Sequence, residues 1–275
     1  VRKRFRIISA GLFSIALIAL IWWIFSGPPE PVYKGQPLSV WLNLLLSDNA
    51  EGAEEIRAMG TNSIPYLLRL LQERESTPKK MFYELAAKQS LFHFKKEEMV
   101  LHDYELHNMQ AVQAFGALGP MASNAVPQLI KIYARNKNES VLVNVSTCLA
   151  LIGPSASPAI PALLSRASST NQNAQTVRLF AITALGAIHS KPEVVVPTLT
   201  TILTDPDVQM RVESANALAR FGAKAQTAVP LLIKNLDLHP SINTPFFTAL
   251  QQIDPDAAAK WQQTNSVNSA STPKP

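Results

Sequence analysis

The sequence predicts an all-α protein, a right-handed α-solenoid of five to six stacked helix pairs preceded by one transmembrane helix. Three observations predict it: a recurring proline register, a glycine-punctuated helix before most of the prolines, and a charge-free leader. Counted from Pro65, Pro127, Pro161, Pro197 and Pro230, four offsets stay apolar. One residue before them stand Ile64, Val126, Ile160, Val196 and Val229, and two after stand Leu67, Leu129, Leu163, Leu199 and Leu232. Three after come Leu68, Ile130, Leu164, Thr200 and Ile233, and six after come Leu71, Tyr133, Ala167, Leu203 and Leu236. Only Thr200 departs from the pattern. At about 3.6 residues per turn these offsets fall on one stripe of a helix.

A helix in register precedes the last four prolines. Phe115, Leu149, Leu185 and Leu218 form one column, and Leu118, Ile152, Ile188 and Phe221 another. Small residues fill the columns between, Ala114, Cys148, Ala184 and Ala217, then Gly116, Ala150, Gly186 and Ala219, so neighbouring helices can approach closely. Gly119, Gly153 and Gly222 stand where a helix end needs positive φ, and His189 takes that place in the remaining unit. Each unit reads as helix, tight turn, helix. From Pro127 the prolines are spaced by 34, 36 and 33 residues, the period of stacked helical repeats. One unit cannot bury its own stripe; a stack can.

The phrases Ala117-Leu118-Gly119 to Ala125-Val126-Pro127, Leu151-Ile152-Gly153 to Ala159-Ile160-Pro161, and Asp205-Pro206-Asp207-Val208 leading to Ala217-Leu218 resemble HEAT repeats of bacterial proteins related to the phycobilisome-lyase repeats. The resemblance covers roughly two thirds of the chain. It implies a packing code without catalytic residues. Members of the family bind partners, act as scaffolds or, in the lyase branch, handle bilins, and the fold does not choose among these.

From the N-terminus, Arg2, Lys3, Arg4 and Arg6 precede the charge-free run Ile7 to Phe25, whose nineteen residues span about 28 Å as a helix. A retained anchor and a cleaved signal peptide compete as readings. The length of the run, and its ending in Trp22, Trp23, Ile24 and Phe25, favour the anchor. The basic flank then stays in the cytoplasm, and everything after Gly27 lies on the far side, the periplasm in a bacterium with two membranes.

Residues 27–37 carry Pro28, Pro29, Pro31 and Pro37 and read as a stiff extended spacer. Leu38 to Leu46, with Trp41, reads as a short amphipathic helix capping the first repeat. The segment Val32 to Leu42 also resembles the one found after the anchor in such bacterial HEAT-repeat proteins. The solenoid is assigned to 38–261, with an insertion or degenerate repeat at about 76–108, because Pro65 and Pro127 are 62 residues apart. Phe246, Leu250 and Ile253 repeat the first-helix columns, Asp254-Pro255-Asp256 starts a last short helix through Trp261, and 262–275 is polar enough to be a disordered tail.

Charge argues against a nucleic-acid partner. The formal net charge is +5, but four of the 25 basic residues sit in the leader, leaving 21 against 20 acidic residues. Such a balance gives no footprint for a polyanion.

No nucleophile elbow, phosphate loop, dinucleotide fingerprint or haem-attachment pattern occurs. His93, His102 and His107 lie in the insertion with Glu98, Asp103 and Glu105, without the tight spacing of a zinc site, and no metal or cofactor is expected. Cys148, the single cysteine, sits in an alanine column and reads as core. Asp205 and Asp207 read as capping residues. The chain reads as non-enzymatic.

Two functions remain: a membrane-tethered protein-interaction scaffold, or, by analogy with the lyase branch alone, a binder or modifier of a small cofactor. For the scaffold, the contact residues are those four after each proline, Arg69, Lys131, Ser165, Thr201 and Lys234. They point about 140° away from the residue before the proline. One after each proline run Tyr66, Gln128, Ala162, Thr198 and Leu231. The resemblance implies that this second-helix face is the concave one. A mildly basic, partly apolar stripe suits an acidic or amphipathic protein segment, and an ordinary solvated face is the plain alternative.

Overall fold

The computed structural model describes residues 30–47, 49–73, 103–169, 174–238 and 243–271. The predicted anchor Ile7–Phe25, His93 and His102 lie outside them.

After a two-stranded ladder, β1 (Val32–Tyr33) and β2 (Gln36–Pro37), the described chain is helical. A capping helix α1 (Leu38–Ser47) leads into α2 (Asn49–Met59) and α3 (Ile64–Leu70). Four further pairs succeed them, α4 (Asp103–Leu118) with α5 (Val126–Arg135), α6 (Glu139–Ile152) with α7 (Ile160–Ala167), α8 (Gln175–Ile188) with α9 (Pro192–Ile202), and α10 (Val208–Ala219) with α11 (Val229–Leu238). α12 (Asn243–Ile253) and α13 (Pro255–Ser271) close the array.

Local chemistry sets the boundaries. Pro65, Pro127 and Pro161 stand in the first turn of their helices, where a missing N–H costs nothing. Asn138 and Asp207 cap α6 and α10, their side chains accepting from the Val141 and Gln209 amides. First helices end on positive φ at Gly60, Gly119, Gly153, Gly222 and His189. The connection between paired helices is longer than a tight turn. Gly119–Ala125, Gly153–Ala159 and Gly222–Ala228 each wind as 3₁₀ helix. The α8–α9 junction differs: His189 (φ 48°) and Lys191 (φ 50°) are both left-handed, α9 starts at Pro192, and Pro197 lies inside the helix rather than at its start.

The first helices α2, α4, α6, α8, α10 and α12 stack as consecutive neighbours. Each second helix packs chiefly on the first helix of the next unit: α3 on α4, α5 on α6, α7 on α8, α9 on α10, and α11 on α12. The small-residue columns explain the close stacking. A Cβ on Gly186 would come within 2.8 Å of Ala217 Cα, so α8 and α10 meet backbone to backbone, whereas one on Gly116 would meet only the Leu151 side chain at 3.5 Å. Phe115, Leu149, Leu185 and Leu218 are fully buried, as is Cys148, whose thiol burial pushes to a raised pKa. In the second helices, Leu67, Leu129, Leu163, Leu199 and Leu232 are 0% exposed. The residues three after each proline, by contrast, are only half-buried, and Leu70, Ile202 and Asn235, five after their prolines, are buried instead.

Both ends depart from expectation. Residues 30–37 are not an extended spacer: Val32 pairs with Pro37 and Tyr33 with Gln36 around Lys34-Gly35, both at positive φ as a two-residue hairpin turn requires. The hairpin is tied down. Glu30 accepts from Ser39 N and Oγ and from Tyr66 Oη at 2.7 Å, and Trp41 Nε1 donates to Tyr33 O. The first proline also has a preceding helix, α2. Its connection is three residues shorter, so Ile56 and Met59 take the columns of Phe115 and Leu118 only when counted from Gly60.

The insertion is shorter than 76–108 at its far end, since residues 103–108 are the start of α4 and are bonded back to Glu73 through His107 and Asn108. At the C-terminus Phe246, Leu250 and Ile253 are buried, and Asp254 caps α13 by accepting from Ala257 N. That helix runs to Ser271, ten residues past Trp261, where a disordered tail was expected.

Among the described residues one stretch, Glu139–Ala167, is long and apolar enough to cross a membrane. It is α6 and α7, broken at Gly153 (φ 71°), with its apolar side chains packed against neighbouring units.

Candidate functional site

All five side chains four after the prolines, Arg69, Lys131, Ser165, Thr201 and Lys234, are exposed or half-buried at the surface of the second-helix layer. They are not equivalent. Arg69 lies over the Tyr66 ring, 5.9 Å from its centroid. Tyr66 spends its hydroxyl on Glu30; burial first and the Glu30 carboxylate second raise its pKa. Thr201 donates to Pro197 O within its own helix. Ser165 is exposed on α7.

Lys131 and Gln128 are brought together in a cleft of about 270 Å³ between α3 and α5. One wall is Leu68 of α3 with Gln72 just past its end; the other is Gln128, Lys131, Ile132 and Arg135 of α5, with Asn136 beyond them. Lys234 lines the corresponding α9–α11 cleft, about 180 Å³, with Leu231, Asn235 and Leu238 on one side and, on the other, Leu203 to Asp205 just past α9 and Arg211 of α10. The correspondence is positional. Offsets of one, four, five and eight from the proline form the α5 wall in the first cleft and the α11 wall in the second.

Arg135 was not singled out in the sequence, though it stands four after Lys131 on the same helix face. That spacing was a usable signal, but a single column of offset-four residues conceals it. Arg166 is a further cation of this layer, lying over the Tyr133 ring at 5.7 Å. The Tyr133 hydroxyl accepts from Ser146, and burial raises its pKa.

Charge divides between the layers. The second helices carry Arg69, Lys131, Arg135, Arg166 and Lys234 against only Glu193 and Asp237. The first helices carry seven acids, and their three cations, Arg57, Arg178 and Arg211, all donate to backbone carbonyls near unit junctions. Arg178 also pairs with Asp205, whose other oxygen accepts from Asp207 N. Of the cations carried by the first and second helices, those not bonded to backbone carbonyls therefore sit on the second helices.

A larger polar hollow of about 370 Å³ opens on the first-helix side between α8, α10 and α12. Its Glu213 accepts from Thr183. Among the described residues no three of His, Cys, Asp and Glu gather as a metal site. His107 is bonded to Glu73 at 2.7 Å instead.

Residues 160–242 match the family model described as HEAT repeats. The match spans α7 through α11, and the earlier pairs share the register of the units within it. Such repeats generally mediate protein–protein interaction and are typically non-enzymatic. Among solved structures, the crystal structure of an engineered protein is similar, at 18% identity and a TM-score of 0.42, covering 82% of this chain and 97% of that one. A comparison with curated proteins finds no match.

Proposed function

We propose that this chain is a non-enzymatic scaffold that engages a protein or peptide through its second-helix layer, held at a membrane by Ile7 to Phe25 with the helical array on the extracytoplasmic side. The observation that carries the reading is the division of charge. Second helices present cations to solvent at a repeated register, while those of the first helices are engaged by backbone carbonyls. Arg69 and Arg166 lie over tyrosine rings, while Lys131, Arg135 and Lys234 are left exposed for a partner. On the second-helix layer the larger cleft is below the roughly 300–1,000 Å³ of a small-molecule site, which on that layer favours a polypeptide over a cofactor. The tether is supported by the charge-free leader and its basic flank.

The test is affinity capture from native membranes with the full chain and with the triple variant Arg69→Glu, Lys131→Glu, Lys234→Glu. Loss of captured proteins with an unchanged helical circular-dichroism spectrum is expected. An unchanged set would place recognition elsewhere on the molecule.

A further inference from the structure

Resting on the scaffold reading, we propose that the cleft between α3 and α5 is the acidic-residue subsite of that face. It takes carboxylate side chains of an extended partner segment between Lys131 and Arg135, and an apolar side chain of the same segment on Leu68 and Ile132. Four features of the cleft carry this. Lys131 and Arg135 stand one helical turn apart on one wall, both exposed, and neither has an acidic partner among the described residues. Their spacing along α5, about 6 Å of rise, matches carboxylates that alternate along an extended strand, which repeat every 6–7 Å or so, roughly two residues of strand rise.

The facing wall is neutral. Gln72 supplies an amide that already donates to Leu68 O, leaving its carbonyl as an acceptor for a peptide N–H. Half-buried Leu68 and Ile132 make the floor apolar without closing it. The cleft's 270 Å³ is the scale of a few side chains rather than of a whole ligand.

The equivalent cleft between α9 and α11 shows what the first one is not. It also has a lysine, Lys234, but Leu238 stands at the offset of Arg135, its other cation, Arg211 of α10, is already engaged by Asp205 O and Pro206 O, Asp205 lies in the facing wall, and Asn235 bridges the helices by donating to Leu203 O and Leu231 O. A carboxylate entering there would meet Lys234, a guanidinium already committed to two carbonyls, and the fixed carboxylate of Asp205. The paired outward cations of the α3–α5 cleft are therefore not repeated in the cleft that Lys234 lines.

The experiment measures fluorescence anisotropy of a labelled peptide of alternating Glu and Leu, and of its Gln–Leu counterpart, titrated with the full chain in a non-ionic detergent. The Glu peptide is expected to bind roughly tenfold more tightly than the Gln peptide, and to lose that margin in Lys131→Glu/Arg135→Glu and at high salt but not in Lys234→Glu. Leu68→Ser is expected to weaken both peptides, since it removes the floor and not the charge.

Equal binding of the two peptides, or an equal loss in Lys234→Glu, overturns the subsite while leaving the scaffold reading to its own capture experiment. Equal affinity for a single-stranded oligonucleotide would overturn it too, by showing attraction to polyanions through charge alone.

Discussion

The two clefts between second helices occupy the same offsets from their prolines and share a lysine, and they differ in how their remaining polar groups are committed. In the α3–α5 cleft the wall reads Gln128, Lys131, Ile132, Arg135; in the α9–α11 cleft it reads Leu231, Lys234, Asn235, Leu238. The first is open and cationic. The second is cross-linked by a buried amide, faces Asp205, and exposes a leucine, Leu238, to 60%. A repeat holds its inward stripe constant because every unit must bury it, and the outward offsets are released from that demand. One lysine at the same place in two repeats thus serves two different environments.

The largest effect should come from breaking the register that both clefts share. Leu163 is fully buried two after its proline, and Leu163→Asp would place a carboxylate there with no partner. A loss of about 3–5 kcal/mol, or unfolding, is expected by chemical denaturation. Gln128→Asp, outward on the equivalent helix of another unit, should stay within about 0.5 kcal/mol. Equal losses would mean that the inward and outward offsets had been misassigned.

An intermediate effect should separate the clefts from one another. Asn235 is 4% exposed and its amide serves two carbonyls, at 3.0 and 2.9 Å, while half-buried Ile132 holds the same offset in the α3–α5 cleft. Asn235→Ala strands the Leu203 carbonyl and should cost about 1–3 kcal/mol. Asn235→Gln should recover part of that loss, whereas Ile132→Ala should cost less than Asn235→Ala. If the order reverses, the C-terminal cleft is not held shut by the amide.

The smallest expected effect is a pH dependence at the N-terminal edge of the cationic cleft. Burial raises the Glu30 pKa, but hydrogen bonds from Tyr66 and Ser39 outweigh it and hold the carboxyl below its ordinary value of 4.5. Because the folded value is the lower one, the unfolded chain takes up the proton first. The contribution is complete above about pH 4.5 and is lost as pH falls through the folded value. Tyr66→Phe should make the acid-side decline in Tm shallower, with a change under about 2 °C at neutral pH. An unaltered slope would show that the hydroxyl does not hold the hairpin.

Much of this molecule could be read from residues alone, and the failures have definite causes. The leucine column at Leu67, Leu129, Leu163, Leu199 and Leu232 and the positive φ at Gly119, Gly153, Gly222 and His189 appear in the structure as expected. The missed helix α2 failed a count from the proline because its connection is three residues shorter, although a count from Gly60 aligns it. The hairpin at 32–37 was hidden behind its prolines. Its decisive residues are Lys34 and Gly35, and one of the bonds that fasten it comes from Tyr66, more than thirty residues away.

What the sequence determined by itself is the leucine column two after each proline and the left-handed ends of four first helices, because a buried stripe and a left-handed C-cap are local and recur with the repeat. What only the tertiary structure decided is which outward residues meet. Lys131 and Arg135 face Leu68 and Gln72, about sixty positions earlier, because α3 and α5 stand in neighbouring units, and Asn235 reaches Leu203 for the same reason. The offset between units is set by the summed contacts of small-residue columns such as Gly186 against Ala217. No single helix contains that sum, so the inward register could be read from one repeat, while the chemistry of the clefts had to wait for the stack.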